Sequence, residues 1–522
     1  MKDRKKEIII ISIILVLQTI IFAIVGVNKE YIHMDEAYSL GLANYDKVEI
    51  QDSEDFYNQW HNGEYYEDYL AVQDKDVGQY KQVYENQKND VHPPIYYLLL
   101  RIAMGFNVNN YSKWPGIILN MIIYIFITIF MYLILQKLFE NKKYSKEKAL
   151  ILAFVSSITM ASLTNVIYIR MYALSALNIL IITYLHMKLI DSEKIKPKLL
   201  IAVGISALIG SLTHYYYLFY LAMLYVTFVV KYIKEKKYKD LLYYTITMCI
   251  AGVLSLIIFP YSIQHMFFGY RGQGVISKLT NVPEFAKSII DYLGKVNKFA
   301  FNYLMIFIIS LIIGFAIYKT IKKEKIIKEK NKYINHILFS ILFYFVLVAV
   351  ASPWIELRYI MPVCGLIFVV TIYYYEQIVC KFSVKTNNII MIATFVTILI
   401  SPIIFKIEPE VAYLDKKEIV SQLENEINVP TLYLFNSGHN RFLDDILLFS
   451  ILDESYIAKD LECTEENIKE ILEGKDISKG IVVFINEGQE NDPKLQSIVN
   501  AMKLEKWTYM KRLNACDVYY LY

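Results

Sequence analysis

The sequence predicts an α-helical polytopic membrane protein that ends in a small α/β domain, and three observations predict it. The chain of 522 residues is 56% hydrophobic and 20% charged with a mean hydropathy of +0.34, more apolar surface than one soluble core of this length can bury. Windows of about 17 to 25 apolar residues recur along it, each long enough to cross a bilayer. Runs of Lys and Arg fall between those windows, so the net charge of +3 matters less than its distribution. Such runs report orientation in a membrane, and no nucleic-acid partner is expected from them.

The N-terminus sets the orientation. Met1-Lys2-Asp3-Arg4-Lys5-Lys6 precedes the apolar run 8–27, which has no small-x-small cleavage site and reads as a retained signal anchor. Further windows at 115–137, 148–168, 171–190, 199–212, 215–230, 241–260, 300–320, 336–352, 359–380 and 387–405 bring the total to about eleven spans. With the N-terminus inside, the inner segments are 136–148, 188–198, 231–240, 319–332 and 377–388, and each of them holds lysines. The outer segments are an acidic, aromatic loop over 28–113, short turns at 169–170, 214 and 352–358, and a loop over 261–299 that holds Arg271 and Lys278. An odd number of spans places everything after Phe405 outside. Windows 199–212 and 215–230 share one apolar stretch broken only at Thr213-His214. Fusing them would put the later lysine loops outside, against the charge rule.

Two regions are not spans. Residues 93–106 are apolar but too short to cross and read as a surface helix, started by Pro93-Pro94 with Asp90 or His92 near its N-cap. From about Glu408 the composition becomes that of a soluble domain. Residues 415–427 and 494–502 are patterned as helices, 431–435 and 480–485 as strands, and 507–522 as a terminal strand pair. The chain therefore divides into 1–405, with the long outer loop 28–113, and an extracytoplasmic α/β domain over 406–522. Cys463 and Cys516 can pair if that domain is external, but a free thiol is the favoured reading, and the five cysteines show no metal-ligand spacing.

The chemistry-bearing residues lie at the outer ends of spans. His33-Met34-Asp35-Glu36 follows the first span, and Asp90-Val91-His92-Pro93-Pro94-Ile95-Tyr96 closes the same loop. Tyr168-Ile169-Arg170-Met171-Tyr172, Thr213-His214-Tyr215 and Glu356-Leu357-Arg358-Tyr359 occupy outer turns. Singly each has a bland reading: solvated carboxylates, a helix start, a snorkelling arginine, an aromatic belt. Together they place two arginines, histidines and paired carboxylates on the face where snorkelling cations should be few, which suits an anion and an acid-base reaction.

Those five motifs, in that order, resemble the GT-C membrane glycosyltransferases of family 39, which include the protein O-mannosyltransferases and their bacterial relatives. The resemblance covers residues 1 to 405; 406–522 resembles no family named here. It implies a GT-C-like fold with about eleven transmembrane helices in a bacterial cytoplasmic membrane. It also implies transfer of a sugar from a polyprenyl-phosphate carrier to a glycan, lipid or protein acceptor on the outer face. Asp35 is then the general base and Glu36 orients acceptor or donor, while Arg170 and Arg358 hold the phosphate with help from His214 or His92. Tyr96, Tyr172, Tyr215 and Tyr359 complete the substrate site. No cofactor is required by this reading, and a divalent cation is left open. There is no β-trefoil insertion in an outer loop, so a protein acceptor is not implied specifically. The competing readings are a transporter or flippase, which would place ionisable groups at mid-span and show a repeated half, and a non-catalytic scaffold.

Overall fold

The computed structural model describes residues 2–140, 144–268, 281–326, 331–379, 384–423, 429–513 and 515–522. Among them, eight helices are long and apolar enough to cross a membrane: Glu7–Val27, Trp114–Leu138, Tyr172–Asp191, Tyr217–Lys234, Tyr238–Ile258, Ile334–Ala351, Met361–Ile378 and Thr386–Phe405. The expected span at 148–168 is instead two helices, Ser145–Ser157 and Met160–Ile167, bent by 57°. The cause is a run of hydroxyls. Ser156 and Ser157 donate to carbonyls of their own helix, and Ser162 Oγ donates to Ser156 O at 2.8 Å. Thr159 Oγ1 then accepts the Ser162 amide and caps the second helix. Pro197–Ser211 and Met305–Ile321, expected as spans, are shorter apolar helices. The stretch broken at Thr213-His214 is two helices, Pro197–Ser211 and Tyr217–Lys234, and the short apolar segment after Pro94 is the helix Ile95–Met104.

The contacts divide the chain into two compact units, and the division is not the one drawn from composition. One unit comprises Met1–Gly26, Asp90–Tyr96 and Ile117–Glu410. The other comprises Val27–Asn89, Tyr97–Gly116 and Val411–Tyr522, so the long first loop folds with the terminal residues and not with 1–405.

The first unit is a helical membrane body. Tyr172–Asp191 packs against Pro197–Ser211 and Met361–Val379; Tyr217–Lys234 packs against Ile334–Ala351, and Pro197–Ser211 against Tyr238–Ile258. Burial ranks these helices. The apolar stretch of Tyr172–Asp191 is 72% buried within the protein, that of Glu7–Val27 only 11%, so the first helix leaves most of its isoleucines to face lipid.

The second unit is built on a six-stranded sheet: β1 (Trp60–His61), β2 (Thr431–Phe435), β3 (Ser455–Lys459), β4 (Ile481–Asn486), β5 (Trp507–Arg512) and β6 (Cys516–Leu521). Their order is β1-β3-β2-β4-β6-β5, with β2 parallel to both β3 and β4 and the remaining pairs antiparallel. Expected strands at 431–435, 480–485 and 507–522 correspond to β2, β4 and the β5–β6 pair. The helix expected at 494–502 starts earlier, as Asn491–Met502. That expected at 415–427 is the short helix Lys417–Ser421, and residues 424–428 lie outside the described ones. Leu432, Leu434, Val483 and Ile485 pack with Ile468, Leu495 and Ile498 from the helices Glu465–Ile471 and Asn491–Met502. A second, aromatic cluster joins Tyr433 and Phe484 of the sheet to Phe442 and Phe449, and the first loop adds Phe56 and Tyr66 to it. Cys463 and Cys516 are free thiols.

The helix Met34–Asn44 lies in this unit with Gly41 against the ring of Tyr69, from the helix Gly63–Leu70. A methyl group at Gly41 would overlap that ring. Gly41→Ala is therefore expected to destabilise the protein by about 1 to 3 kcal/mol, as overpacking does in a close-packed interior, despite alanine's better helix propensity. Denaturation of the purified variant in detergent checks this, and a gain in stability would contradict the packing described.

Candidate active site

In the second unit the helix Met34–Asn44 begins with a reciprocal cap. His33 Nδ1 accepts the Asp35 amide at 3.0 Å, and Glu36 Oε2 accepts the His33 amide at 2.9 Å. The same Glu36 oxygen takes a hydrogen bond from Lys29 Nζ at 2.8 Å, and neither side chain has exposed surface. Burial holds the Lys29 ammonium below its ordinary value, an effect that Glu36 offsets only in part. Lys29 also donates to Val411 O at 2.8 Å. This placement differs from the orienting role expected of Glu36 toward acceptor or donor, because a carboxylate with no exposed surface and an ion pair is occupied with holding the helix start. Asp35, one residue earlier, keeps its side chain 15% exposed, with its Oδ2 4.0 Å from His33 Nδ1. At the far end of the helix, Arg101 donates to the carbonyls of Ala43 and Asn44 at 3.1 and 2.9 Å.

The first unit gathers the other expected residues. His92 Nδ1 lies 2.6 Å from Asp90 Oδ2, with side chains 4% and 16% exposed. Burial alone would raise the Asp90 carboxyl, but the charge and hydrogen bond of His92, together with Arg170, hold it down at about 2. Arg170 is buried in the turn between Met160–Ile167 and Tyr172–Asp191. Tyr172, at the start of the second of these helices, lies edge-on to His214, with ring centroids 5.4 Å apart, and to Tyr359 at 6.3 Å. The Arg358 guanidinium sits 5.1 Å over the Tyr359 ring. Tyr96 donates to Asn120, whose amide donates to the carbonyls of Val166 and Tyr168. His92, Tyr96, Arg170, Tyr172, His214, Tyr215, Arg358 and Tyr359 thus all fall within one unit, and Asp35 and Glu36 within the other.

Some participants were not visible in the sequence. His265, from the short turn Gln264–Phe268, has its Nδ1 2.9 Å from the Tyr215 hydroxyl. It lies in the long loop over 261–299, where no flanking motif marks it. Lys29 likewise carries no flanking motif that marks it. Asp90 was read as a helix cap, although its spacing of two residues from His92 was the available signal for a carboxylate-imidazole pair. Among the described residues no three His, Cys, Asp or Glu side chains are grouped to hold a metal ion. Arg271 and Lys278 lie outside the described residues.

Fold and site define a polytopic helical membrane protein with a buried polar cluster in breaks between its helices. No protein-family model matches the chain, and no curated protein matches it. Among solved structures it is similar to ArnT from Cupriavidus metallidurans bound to undecaprenyl phosphate, with TM-score 0.48, 8% identity and 97% of each chain covered. It is also similar to the apo state of the same protein, with TM-score 0.45, 9% identity and 97% of each chain covered.

The Asp90 carboxylate links stability to pH. Its folded-state value lies below the ordinary one, so its contribution is present above about pH 4 and is lost as pH falls toward about 2. Asp90→Asn is expected to be less stable than wild type by about 2 kcal/mol at pH 7, with the gap narrowing steadily below pH 4. Denaturation midpoints of both proteins at pH 7 and pH 3 check this. A gap that widens on acidification would contradict it.

Proposed function

We propose that this chain is a GT-C-type membrane glycosyltransferase. It moves a sugar from a polyprenyl-phosphate carrier to a glycan, lipid or protein acceptor at the outer face of the cytoplasmic membrane. The observation that carries this reading is the convergence, within one unit, of Asp90-His92, Arg170, His214 and Arg358-Tyr359 from separate stretches of sequence. Guanidinium groups that stay charged and bind two oxygens at once suit a phosphate, and imidazoles add donors. Asp35, partly exposed on a helix end fixed by its neighbours, suits a base.

In this reading Asp35 takes the proton of the acceptor hydroxyl as its oxygen attacks the anomeric carbon. The bond from that carbon to the phosphate oxygen breaks, its electron pair leaves with the polyprenyl phosphate, and a glycosidic bond forms. Arg170, Arg358 and the histidines stabilise the departing charge, a role that is strongest where water is excluded. Glu36 and Lys29 hold the base in place. No cofactor enters these steps, and a divalent cation on the phosphate would reveal itself as donor binding lost to a chelator.

Asp35→Asn keeps the shape and removes the base, so transfer should fall by about two to four orders of magnitude while carrier binding survives. Near-normal transfer by this variant, measured as the envelope glycan restored to cells lacking the gene, would sink the assignment.

For the phosphate, Lys at position 170 or 358 keeps the charge but loses the paired donors, so polyprenyl phosphate should bind less tightly than to wild type. Ala should be worse still, by more than about tenfold. Binding of a polyprenyl phosphate to the four variants in detergent distinguishes a clamp from a snorkelling anchor. Equal affinity across all of them would leave only the anchor.

A further inference from the structure

A cavity of about 190 Å³ lies within the membrane body, and none of the residues assigned to the reaction line it. Three helices make it. Asn388, Met391, Ile392 and Phe395 recur at three- and four-residue spacing, so they share one face of the helix Val384–Phe405. Lys148, Ile151 and Leu152 do the same on Ser145–Ser157, and Met361–Val379 contributes Glu376. Only 22% of the apolar stretch Thr386–Phe405 is buried within the protein, and the space between the three faces stays unfilled. Met391 and Phe395 are buried, whereas Ile151 and Ile392 are 41% and 53% exposed, so the cavity opens sideways toward lipid.

The polar end of this cavity is the ion pair of Lys148 and Glu376, with side chains 18% and 8% exposed. Lys148 donates to Glu376 Oε1, while Oε2 is buried and has no donor among the described residues. A carboxylate oxygen shut away from water without a donor is costly, so the missing donor has to come from outside the chain. Glu147, which also lines the cavity, sets a second negative charge against the one lysine, and a cationic donor is the better match. Glu376 stands about four turns along its helix from Met361. The cavity is therefore at the opposite end of that helix from Arg358 and Tyr359, and the carrier phosphate proposed there does not reach it.

The geometry points to a second lipid site: the cavity takes an acyl chain of an aminophospholipid, whose ammonium donates to Glu376 Oε2 and whose phosphate meets Lys148. A zwitterionic head matches the paired charges of Lys148 and Glu376. Apolar-walled cavities of about 150 Å³ and more stay dry and accept apolar guests, so water alone is a poor occupant of the remaining space. This inference does not depend on the reaction proposed above.

The test mixes full-length protein, purified in detergent, with phosphatidylethanolamine, phosphatidylcholine or phosphatidylglycerol and counts the retained lipid by native mass spectrometry. Phosphatidylcholine keeps the charges and has no N–H, and phosphatidylglycerol has hydroxyl donors without the cation. Wild type should bind phosphatidylethanolamine at least about tenfold more tightly than either, the difference expected of one charge-assisted hydrogen bond. Glu376→Gln keeps an oxygen and loses the charge, so that preference should largely disappear. Ile392→Trp, at the exposed rim, fills the cavity without touching the ion pair. It should bind phosphatidylethanolamine more weakly than wild type while melting at the same temperature without lipid, and it decides the matter if Glu376→Gln does not fold. Equal binding of the three lipids by wild type would overturn the proposal and leave a water on Glu376. An unchanged preference in Ile392→Trp would overturn it by placing the lipid elsewhere, and displacement of phosphatidylethanolamine by a polyprenyl phosphate would do so by assigning the cavity to the carrier.

Discussion

The second unit hangs from one buried ammonium. Lys29 donates to Glu36 and to Val411 O, its own carbonyl accepts from Lys113 Nζ, and Lys113 also reaches Val27 O. Beside them the Glu30 amide bonds Ala412 O at 2.9 Å. These are the places where the unit's three stretches, Val27–Asn89, Tyr97–Gly116 and Val411–Tyr522, begin or end. Two lysines therefore pin three chain segments that have no covalent reason to meet. A buried ion pair is weak evidence for net stability, since desolvation offsets most of the attraction, but removing one partner strands the other at a cost of about 3 to 5 kcal/mol. Its value here is geometric. Glu36 cannot swing away from the helix cap without abandoning Lys29, so the residue beside it, Asp35, starts from a fixed backbone.

The first unit obeys a different constraint. Within a bilayer every backbone group must find a partner in the protein, so a helix can break only where side chains replace the lost bonds. The sites around Arg170 and Arg358 follow that rule. The carbonyls of Val166 and Tyr168, freed where Met160–Ile167 ends, are taken by Asn120. Tyr344 donates to Tyr359 O, and Tyr292 donates to Ser352 Oγ and Trp354 O. Buried tyrosines and asparagines from neighbouring helices thus make the breaks affordable, and the breaks free Arg170 and Arg358 from regular helix. The abundance of tyrosine in this chain, 45 residues, has in part this explanation: a ring packs like an apolar side chain while its hydroxyl serves a carbonyl.

What was legible in the sequence follows from which interactions are local. Apolar windows locate the long helices because lipid imposes their length, and β2, β4 and the terminal strand pair stand out because their apolar runs are short and bounded by turns. The bend at Ser157 was missed because its hydroxyls bond within their own turn and interrupt no hydropathy window. β1 was illegible for the opposite reason. Trp60-His61 is a two-residue strand whose partner, β3, lies in the terminal domain, and no local pattern specifies that pairing. The residues around Arg170 and Arg358 drew notice in the sequence because cations at span ends read as outward are unexpected. The burial of Glu36 and its pairing with Lys29 were not legible, because adjacent carboxylates look alike in sequence until burial separates them.

Two carboxylates could be asked to act as the base, and their surroundings separate them. Asp90 is held at about 2 by His92 and Arg170, so a proton taken from a hydroxyl would be lost again at once, and a carboxylate this far below neutrality is a poor acceptor in the transition state. Its hydrogen bond does something else: it fixes Nδ1 of His92 as the bonded nitrogen and so orients the ring. Asp35 has surroundings of another kind. Its neighbours along the chain are spent on capping, its side chain keeps some exposure, and Asp444 feels its charge as a repulsion. The same residue type thus meets opposite surroundings, cations holding Asp90 as a charge while Asp35 keeps some exposure at a helix end fixed by its neighbours, which is what the proposed base requires.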